Sequence, residues 1–412
     1  MKNPSGFKKK QSRARQKMAI LLCCFLFLFC PGTGAAQSWQ PEARSRLMGE
    51  NQTVSVSPGQ SLYQVARAHG YSLELLAHAN GLPISLAPVP KKSVIIPSRR
   101  IFPTGAPENG IIVNLPERGF YLFRKGETPR FFPVAVGQPG RFQTPEGQYA
   151  IREKVVNPEW VAPEWAGLGE DNVIPAGPDN PLGDRWIGLS SAGLGMHSTN
   201  NPSSIGSASS HGCMRMYPEI ARTVFDLVET GWPVAIRYET SRVAVEDDGI
   251  YVAFFTDPYN RGGVEERLAA QFQELDLMGF YNMLDLSGSV RAKDGMTRRV
   301  VDLEARVMTE GKQAFPAARV GERVFVSGKT LESLGIQQSF DLPNQTVLLK
   351  KGELEMVMPL RLTNKRSGDK LPSNTWGFLS RGAAWFPAKE LLQTMAIPYK
   401  WEGSSKTLLV QL

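Results

Sequence analysis

Cysteine and histidine are scarce in this chain, which has four of each among 412 residues. Three of the cysteines lie in one uncharged run, "MAILLCCFLFLFC", at residues 18–30. Cys213 is the only cysteine outside that run, so the rest of the chain has no framework of internal disulfides. A lone thiol of this kind is a buried structural cysteine, an intermolecular link or a reactive nucleophile.

Long hydrophobic runs are missing apart from that segment. Seven Lys and Arg residues and no acidic residue precede it, and the small-residue tract "GTGAA" follows it. This order predicts a secretory signal peptide over residues 1–36, cleaved near Ala35 or Ala36. The run of 13 residues is short for a membrane span, and an uncleaved N-terminal anchor is the alternative. We therefore expect an exported protein of the cell wall, the extracellular space or the periplasm, with no stable membrane domain after cleavage.

Excess charge of one sign is also missing once the predicted leader is set aside. The chain carries a formal charge of +8, and removing the seven positive charges of residues 1–36 leaves +1. No basic stripe with interleaved aromatic residues remains, which argues against nucleic acid as a partner. The remaining length, about 375 residues, predicts two to four domains.

Residues 51–98 combine two strand patterns with two helical ones. The runs "TVSV" and "SVIIP" predict strands, and apolar residues recur at helical spacing between them, as Leu62, Val65 and Ala66 and then as Leu73, Leu76 and Ala77. This order resembles a LysM domain, which implies a small βααβ fold that binds the N-acetylglucosamine-containing glycan strands of peptidoglycan. A helical connector that binds nothing is the alternative.

Residues 109–238 are rich in strand patterns broken by Gly and Pro. Five runs predict strands: "GIIVNL", "GFYLFR", "FFPVAV", "GQYAIREKVV" and "PVAIRY". One helix is predicted from Pro218, with an apolar stripe, and is expected to end at Gly231. The Pro-, Gly- and Asn-rich segment 157–199 predicts a functional lid or a disordered loop. The region therefore predicts a β-rich domain, either a sandwich or a barrel-like fold.

The C-terminal part is predicted to hold a connector, residues 239–290, and a repeat domain, residues 291–412. Within the latter, "RVFVSGKTLESLGI" aligns with "AWFPAKELLQTMAI", and a strand pattern follows each copy. This pair resembles the copper amine oxidase N-terminal-like domain, which implies an α+β binding or spacing module. Residues 291–412 contain neither His nor Cys, which argues against bound copper. The whole chain is thus predicted to be a multidomain α+β protein.

The residues around Cys213 predict a chemical site. His197 and His211 lie within 17 residues of the thiol. We expect the N-terminus of the helix beginning near Pro218 to lower the pKa of the thiol, and the amides of Gly212 and Cys213 to form an oxyanion hole. A zinc site with His197, His211 and Cys213 as ligands is one alternative, and an inert packed cysteine is the other.

The segment from His197 to Ser210-His211-Gly212-Cys213-Met214-Arg215 resembles the signature of the L,D-transpeptidase catalytic domain, also called the YkuD domain. Further matching elements are "TPEG" at 144–147, "NPEW" at 157–160, "GPDNPLG" at 177–183 and "GWPV" at 231–234. The resemblance implies that Cys213 attacks a peptidoglycan stem peptide and expels D-alanine, with His197 as the base. It also implies that Ser210, His211 and Gly212 shape the oxyanion site and that no metal or other cofactor takes part.

Two questions stay open at this point. Arg215 is expected to hold a substrate carboxylate, with a structural salt bridge as the alternative. An amine acceptor would give a cross-link or attachment of a protein, whereas water would give L,D-carboxypeptidase activity. A catalytically inactive wall-binding protein is a further alternative. The resemblance also predicts that a carbapenem forms an adduct with Cys213.

Overall fold

The computed structural model describes residues 45–163, 166–167, 173–281, 284–311, 313–361 and 376–411. The predicted signal peptide over residues 1–36 lies outside these ranges. None of the helices in the described ranges combines the length and the apolar character needed to cross a membrane. Strands far outnumber helices in all parts except the first, as the predicted β-rich character requires.

The N-terminal part contains two short helices flanked by strands. Its elements are β1 Leu47–Met48, β2 Gln52–Ser55, α1 Leu62–Ala68, α2 Leu73–Asn80, β3 Ser93–Ile96 and β4 Arg100–Ile101. Ser61 and Gln64 form a capping box at the start of α1, Ser72 caps α2, and Gly81 ends α2 in the left-handed region at φ 60°. Strands β2 and β3 pair antiparallel. The order strand, helix, helix, strand was predicted, and the assignment to a LysM domain stays a prediction.

The middle part is built on one eight-stranded mixed sheet. Its elements are β5 Gly110–Asn114, β6 Gly119–Phe123, β7 Arg130–Pro133, β8 Val136–Gly137, β9 Gly147–Val156, β10 Trp160–Val161, β11 Val173–Ile174, β12 Arg185–Leu189, β13 Gly195–His197, β14 Ala208–Ser210, β15 Met214–Arg215, α3 Pro218–Leu227 and β16 Pro233–Arg237. The strand order is β15-β13-β12-β9-β16-β5-β6-β7. All five predicted strand runs are confirmed as strands.

The segment 157–199 is not one long loop as predicted. Its last third contains β12 and β13, which pair with each other and bury Ile187 and Met196 in the core. The strand "RWIGL" is short and has Gly and Pro on both sides, so its alternating pattern was hidden. The first part of the segment is held by the buried Asn180, whose side-chain NH2 donates to the carbonyls of Pro158, Ile174 and Pro175.

Helix α3 begins at Pro218 as predicted but ends at Leu227, before the expected stop at Gly231. Val228 follows in an extended conformation, so its side chain still reaches the core although it lies outside the helix. The helix buries Ala221 and Val224 against the sheet. It is the one α-helix among the described residues of the middle part.

The C-terminal part is dominated by a second, larger sheet. Its elements are β17 Ser241–Glu246, β18 Gly249–Phe254, α4 Val264–Glu274, α5 Met278–Tyr281, α6 Ser287–Ala292, β19 Arg298–Asp302, β20 Arg306–Thr309, β21 Ala314–Val320, β22 Arg323–Ser327, α7 Gly328–Ser333, β23 Gln337–Asp341, β24 Thr346–Lys351, β25 Leu354–Arg361, β26 Gly377–Ser380, β27 Ala383–Pro387, α8 Ala388–Thr394, β28 Tyr399–Glu402 and β29 Thr407–Val410.

Residues 239–290, predicted to be a connector, contribute to this second sheet. Strands β17 and β18 form a hairpin, and β18 pairs with β19. The signal was present in the sequence as two alternating runs around Asp248-Gly249, a dipeptide that favours tight hairpin turns. Helix α4 packs on the hairpin and buries Leu268 and Phe272, which matches the predicted helical stretch.

The internal repeat recurs in the structure. Each copy is a strand, a helix and two further strands, namely β22-α7-β23-β24 and β27-α8-β28-β29. The first strands of the two copies pair antiparallel, with Val326 opposite Phe386. The helices bury Leu331 in one copy and Leu391 in the other. The two halves therefore share one core, and their relation to the copper amine oxidase N-terminal-like domain stays a prediction.

The N-terminal part packs directly on the middle part, and the described residues between 45 and 411 belong to one compact unit. Glu74 pairs with Arg118 at 3.0 Å, and Arg67 pairs with Glu219 at 2.9 Å. A Cβ atom placed on Gly206 would lie 2.0 Å from the Cβ of Ser72, so the two surfaces touch without room for a side chain there. The N-terminal part is thus held against the middle part by direct contacts.

A buried ion network joins all three parts. Glu117, with no exposed surface, accepts from Arg100 of β4 at 2.7 Å and from Arg242 of β17 at 2.9 Å. Tyr121 donates its hydroxyl to the same carboxylate at 2.7 Å. The guanidinium of Arg100 also lies 3.6 Å from the centre of the Phe131 ring. Removing this carboxylate would leave Arg100 buried without a counter-charge among the described residues, and would leave Arg242 with Glu239 alone, at 2.6 Å.

We predict that Glu117→Gln lowers the free energy of unfolding by about 3 to 5 kcal/mol, because it breaks a buried ion pair on one side only. Urea denaturation monitored by tryptophan fluorescence measures the change. The matched control is Glu127→Gln, which removes an exposed pair with Arg124 and should cost less than about 1 kcal/mol. Equal effects of the two substitutions would contradict the structural role given to Glu117.

Candidate active site

Four neighbouring strands place a row of side chains on one face of the middle sheet. In the register of β9, β12, β13 and β15, the directly opposite residues are Val155, Trp186, His197 and Arg215. Cross-strand partners point to the same face. All four line a cavity of about 670 Å³, together with Cys213, Ser210 and His211. The other face of these strands carries Ile187, Met196 and Met214, which are buried in the core.

Cys213 lies two residues before Arg215, so it faces the same cavity. Its Sγ–H donates to the carbonyl of Gly193 at 3.2 Å. The N–H of Gly195 also faces the sulfur and favours the thiolate. Cys213 is the free cysteine of the described residues and is partly exposed. The inert, fully packed alternative therefore does not fit its position at the cavity wall.

The pKa of the Cys213 thiol is raised, contrary to the prediction that a helix N-terminus lowers it. Burial is the main cause, and the N–H of Gly195 and the charge of Arg215 only partly oppose it. Helix α3 begins at Pro218, and strand β15 with Met216 and Tyr217 stands between the helix and the thiol. The cysteine is therefore a neutral thiol at rest, which needs a base before it can attack.

His197 lines the same cavity as the thiol. It is 4% exposed, and its Nδ1 lies 2.6 Å from the carbonyl oxygen of Ser198. Because a carbonyl only accepts, Nδ1 carries the proton and Nε2 keeps its lone pair. Burial, followed by the charge of Arg215, lowers the pKa of His197 to about 4. The imidazole is therefore neutral near pH 7 and able to take up a proton.

Ser210 fixes the turn that carries the thiol. Its hydroxyl donates to the carbonyl of Cys213 at 2.5 Å and accepts the N–H of Gly212 at 3.2 Å. Gly212 has φ +114°, a conformation that strains other residues. The Gly212 amide is thus already engaged, which differs from the predicted oxyanion pair. The N–H of Cys213 donates to no acceptor among the described residues and is the better candidate donor.

His211 also lines the cavity. It is exposed, and its ring packs edge-on against Phe142 at 4.6 Å. Burial and then the charges of Arg215 and Arg141 lower its pKa. Within the described ranges, no three side chains of His, Cys, Asp or Glu converge to hold a metal ion. The zinc alternative thus lacks its ligand geometry in this part of the chain.

Arg215 supplies a positive charge beside the thiol. It lines the cavity, and no carboxylate of the described residues forms an ion pair with it. Burial lowers its pKa, while the nearby Cys213 raises it. The alternative of a structural salt bridge is thus not formed among these residues. The charge is available to a carboxylate of a bound molecule.

Two cavity residues were missed in the sequence, Glu153 and Trp186. Trp186 lies next to His197, with ring centroids 5.9 Å apart, and its Nε1 donates to Glu153 Oε1 at 3.0 Å. Trp186 precedes the core residue Ile187 on β12, whereas Glu153 lies between the polar residues Arg152 and Lys154 on β9. The polar neighbours of Glu153 hid its orientation in the sequence. Trp186 was missed because its segment was assigned to a loop.

Comparison with known proteins gives a consistent result. Residues 108–236 match the family model of the L,D-transpeptidase catalytic domain. A probable L,D-transpeptidase, ErfK/SrfK of Escherichia coli K12, is 31% identical over 257 residues, which make up 60% of this chain and 82% of that protein. The probable ErfK/SrfK of Salmonella typhimurium is 32% identical over 237 residues, 55% of this chain and 75% of that protein. Among solved structures, L,D-transpeptidase 3 from Mycobacterium tuberculosis in complex with a faropenem-derived adduct is 20% identical, with a TM-score of 0.26, over 32% of this chain and 61% of that one.

We predict that the imidazole of His197 titrates near pH 4 in the folded protein. Its ordinary value is about 6.5, so the unfolded chain takes up this proton first as the pH falls. The stability associated with neutral His197 is therefore lost between about pH 6.5 and 4. Heteronuclear NMR of the histidine rings, assigned by comparison with His197→Gln, measures the value. The exposed His69 of the same spectrum serves as the control, and a His197 midpoint at or above 6 would contradict the burial argument.

Proposed function

The chain belongs to the L,D-transpeptidase family, and we propose that it joins peptidoglycan stem peptides through a Cys213 acyl-enzyme. The observation that carries this proposal is the meeting of thiol, neutral imidazole and unpaired guanidinium in one cavity. The donor is a stem tetrapeptide, the leaving group is its terminal D-alanine, and the acceptor is an amine. A 3-3 cross-link or the attachment of a protein results.

Acylation begins with a concerted proton transfer. His197 Nε2 takes the Sγ proton while the sulfur attacks the carbonyl of the third stem residue, which has an L-configured centre. A resting thiolate is not required, which agrees with the raised pKa of Cys213. The N–H of Cys213 donates to the oxyanion of the tetrahedral intermediate. Collapse breaks the peptide bond, and the D-alanine amine leaves with the proton that His197 returns.

Transfer reverses these roles. The acceptor amine attacks the thioester carbonyl, His197 takes its proton, and the new amide forms as the C–S bond breaks. The proton returns to sulfur, so the thiol is restored. Arg215 holds the carboxylate of the terminal D-alanine during the first step, and Ser210 keeps the Cys213 turn in place.

Water as the acceptor gives L,D-carboxypeptidase activity through the same acyl-enzyme. This remains the second candidate, since the cavity admits solvent and nothing in the first step distinguishes the two acceptors. An inactive wall-binding protein is the less favoured alternative, because Cys213 faces a cavity beside a neutral base. We place the protein outside the cytoplasm, on the strength of the predicted leader over residues 1–36.

We predict that a carbapenem adds covalently to the wild-type protein and not to Cys213→Ser. The addition opens the lactam ring and keeps all its atoms, so intact mass spectrometry shows a gain equal to the whole drug. The control is Ser203→Ala at an exposed position of the same segment, which should keep the adduct.

Muropeptide mass spectrometry then tests the acceptor. Cross-linked dimers should form with the wild type and be lost with Cys213→Ala. A tripeptide product without dimers would favour the carboxypeptidase. The absence of any adduct and of any product would favour the wall-binding protein.

The N-terminal part is proposed to bind glycan strands, and the repeat part to bind or space the enzyme at the wall. Deleting residues 51–98 would be a poor test, since Glu74 and Ser72 contact the catalytic part. Two apolar side chains of the module, Ile84 and Leu86, are instead 56% and 62% exposed in the loop after α2. A sugar ring can cover such side chains and remove apolar surface from water.

We predict that Ile84→Ser with Leu86→Ser weakens co-sedimentation with insoluble peptidoglycan by about tenfold, the effect of removing two partly covered apolar contacts. Carbapenem acylation should stay at the wild-type rate. Val357→Ser, at an exposed position of β25, is the matched control for the loss of surface apolar area. Unchanged sedimentation of the double variant would show that this loop does not bind the wall.

A further inference from the structure

A second row of the same sheet runs from the thiol to a carboxylate. Glu153 lies opposite Gly188, and Gly188 lies opposite Gly195. The parallel register of β13 with β15 continues this row to Cys213, since Met196 is opposite Met214. The row therefore reads Glu153, Gly188, Gly195, Cys213, with both functional side chains on the cavity face.

Two glycines lie between these groups, and a neighbouring side chain occupies the space on the cavity side of each. A Cβ atom on Gly195 would lie 2.5 Å from Trp186 Cη2, and one on Gly188 would lie 2.8 Å from Glu153 Oε1. The indole of Trp186 therefore covers Gly195, and the side chain of Glu153 bends over Gly188 toward the sulfur. The cavity surface between the two groups is therefore formed by the indole near the thiol and by the Glu153 carboxylate at its far end.

The charge of Glu153 is available to a ligand. Its Oε1 accepts one hydrogen bond from Trp186, and it forms no ion pair with Lys or Arg of the described residues. The side chain is exposed to the cavity. A carboxylate has about four acceptor positions, so most of its capacity remains unused.

The spacing fits a cationic side chain on the acyl donor. Three strand separations of about 4.8 Å put the Cα atoms of Glu153 and Cys213 roughly 14 Å apart. The side chain of Glu153 lies over Gly188, so its carboxylate is closer to the sulfur than the Cα atoms are to each other. An amine at the end of four methylene-type carbons lies about 7 Å from its own acyl carbon when extended. With the C–S bond of about 1.8 Å and a hydrogen bond of about 2.8 Å, such a side chain reaches about 11 to 12 Å from the sulfur, which is within the roughly 14 Å between the two Cα atoms.

We propose that Glu153 binds the side-chain ammonium of the third stem residue, and thereby selects a diamino acid as the acyl donor. This inference rests on the proposed acyl transfer at Cys213. The methylene chain lies on Trp186, and the ammonium, which is charged near pH 7, reaches the carboxylate. Glu153 is a specificity-determining residue and takes no part in proton transfer to or from the thiol.

The test compares two soluble tetrapeptides that differ only at the third residue, L-lysine in one and Nε-acetyl-L-lysine in the other. Single-turnover release of D-alanine reports acylation alone, without the acceptor. The wild type should acylate with the free amine about 10- to 100-fold faster in kcat/KM, the range expected for one charged hydrogen bond. Glu153→Gln should bring this ratio close to one, while its amide oxygen still accepts from Trp186.

Glu159→Gln is the matched control, since Glu159 lines the same cavity but lies outside the row. Its ratio of kcat/KM for the two peptides should stay near that of the wild type. If Glu159→Gln lowers this ratio as much as Glu153→Gln does, the effect comes from the general charge of the cavity and the assignment is overturned. If Glu153→Gln lowers activity on both peptides and leaves their ratio unchanged, the assignment is also wrong. That result would mean that Glu153 only holds Trp186 in place. A wild-type protein that acylates with both peptides at the same rate would also overturn the assignment.

The failure of the proposed function looks different. In that case the wild type would release no D-alanine from either peptide and would form no carbapenem adduct at Cys213. Adduct formation together with D-alanine release from both peptides keeps the acyl-enzyme, whatever the ratio between the two substrates.

Discussion

The carboxylate of Glu117 is the point on which the arrangement of this molecule depends. It neutralises one arginine from the strand that follows the N-terminal module and another from the strand that begins the C-terminal sheet. Buried charges keep their partners, because a lone buried ion is costly. The three parts are therefore held together by one buried ion network. A ligand of the N-terminal part is thereby held at a fixed position relative to the cavity, whereas a flexible tether only raises the local concentration of a ligand.

The cavity depends on strand register in a similar way. A shift of one residue would exchange cavity-facing and core-facing side chains along a whole strand. Such a shift occurs between Gly188 and Leu189 of β12. Gly188 pairs with Glu153, but Leu189 pairs with Ile151, so one residue of β9 is skipped. Ile151 consequently lies in the core, while Glu153, two residues further along, faces the cavity. A bulge of this kind lets one strand serve both the packed core and the recognition of a ligand.

The sequence predicted which residues come together better than it predicted the surroundings of these residues. His197 and Cys213 belong to a compact local motif, and both line the cavity, as does Arg215. The direction of the thiol pKa was wrong, since burial by distant strands outweighs a helix whose position was inferred from sequence order. Glu153 was not predicted because its partner in the row is 60 residues away, and only the sheet register brings them together. The hairpin at Asp248-Gly249 was missed for another reason: its turn signal was present but was read as part of a connector.

The hydrogen bond from the Cys213 thiol to the Gly193 carbonyl has a consequence for redox chemistry. Peroxides and disulfides react with the thiolate, so a buried, protonated sulfur is oxidised slowly. A protein whose leader predicts passage to an oxidising compartment would otherwise risk sulfenic acid or mixed disulfides at its one functional cysteine. Under the proposed mechanism, the sulfur becomes nucleophilic only when a substrate and the neutral imidazole of His197 act together. The same burial that delays ionisation thus preserves the enzyme between turnovers.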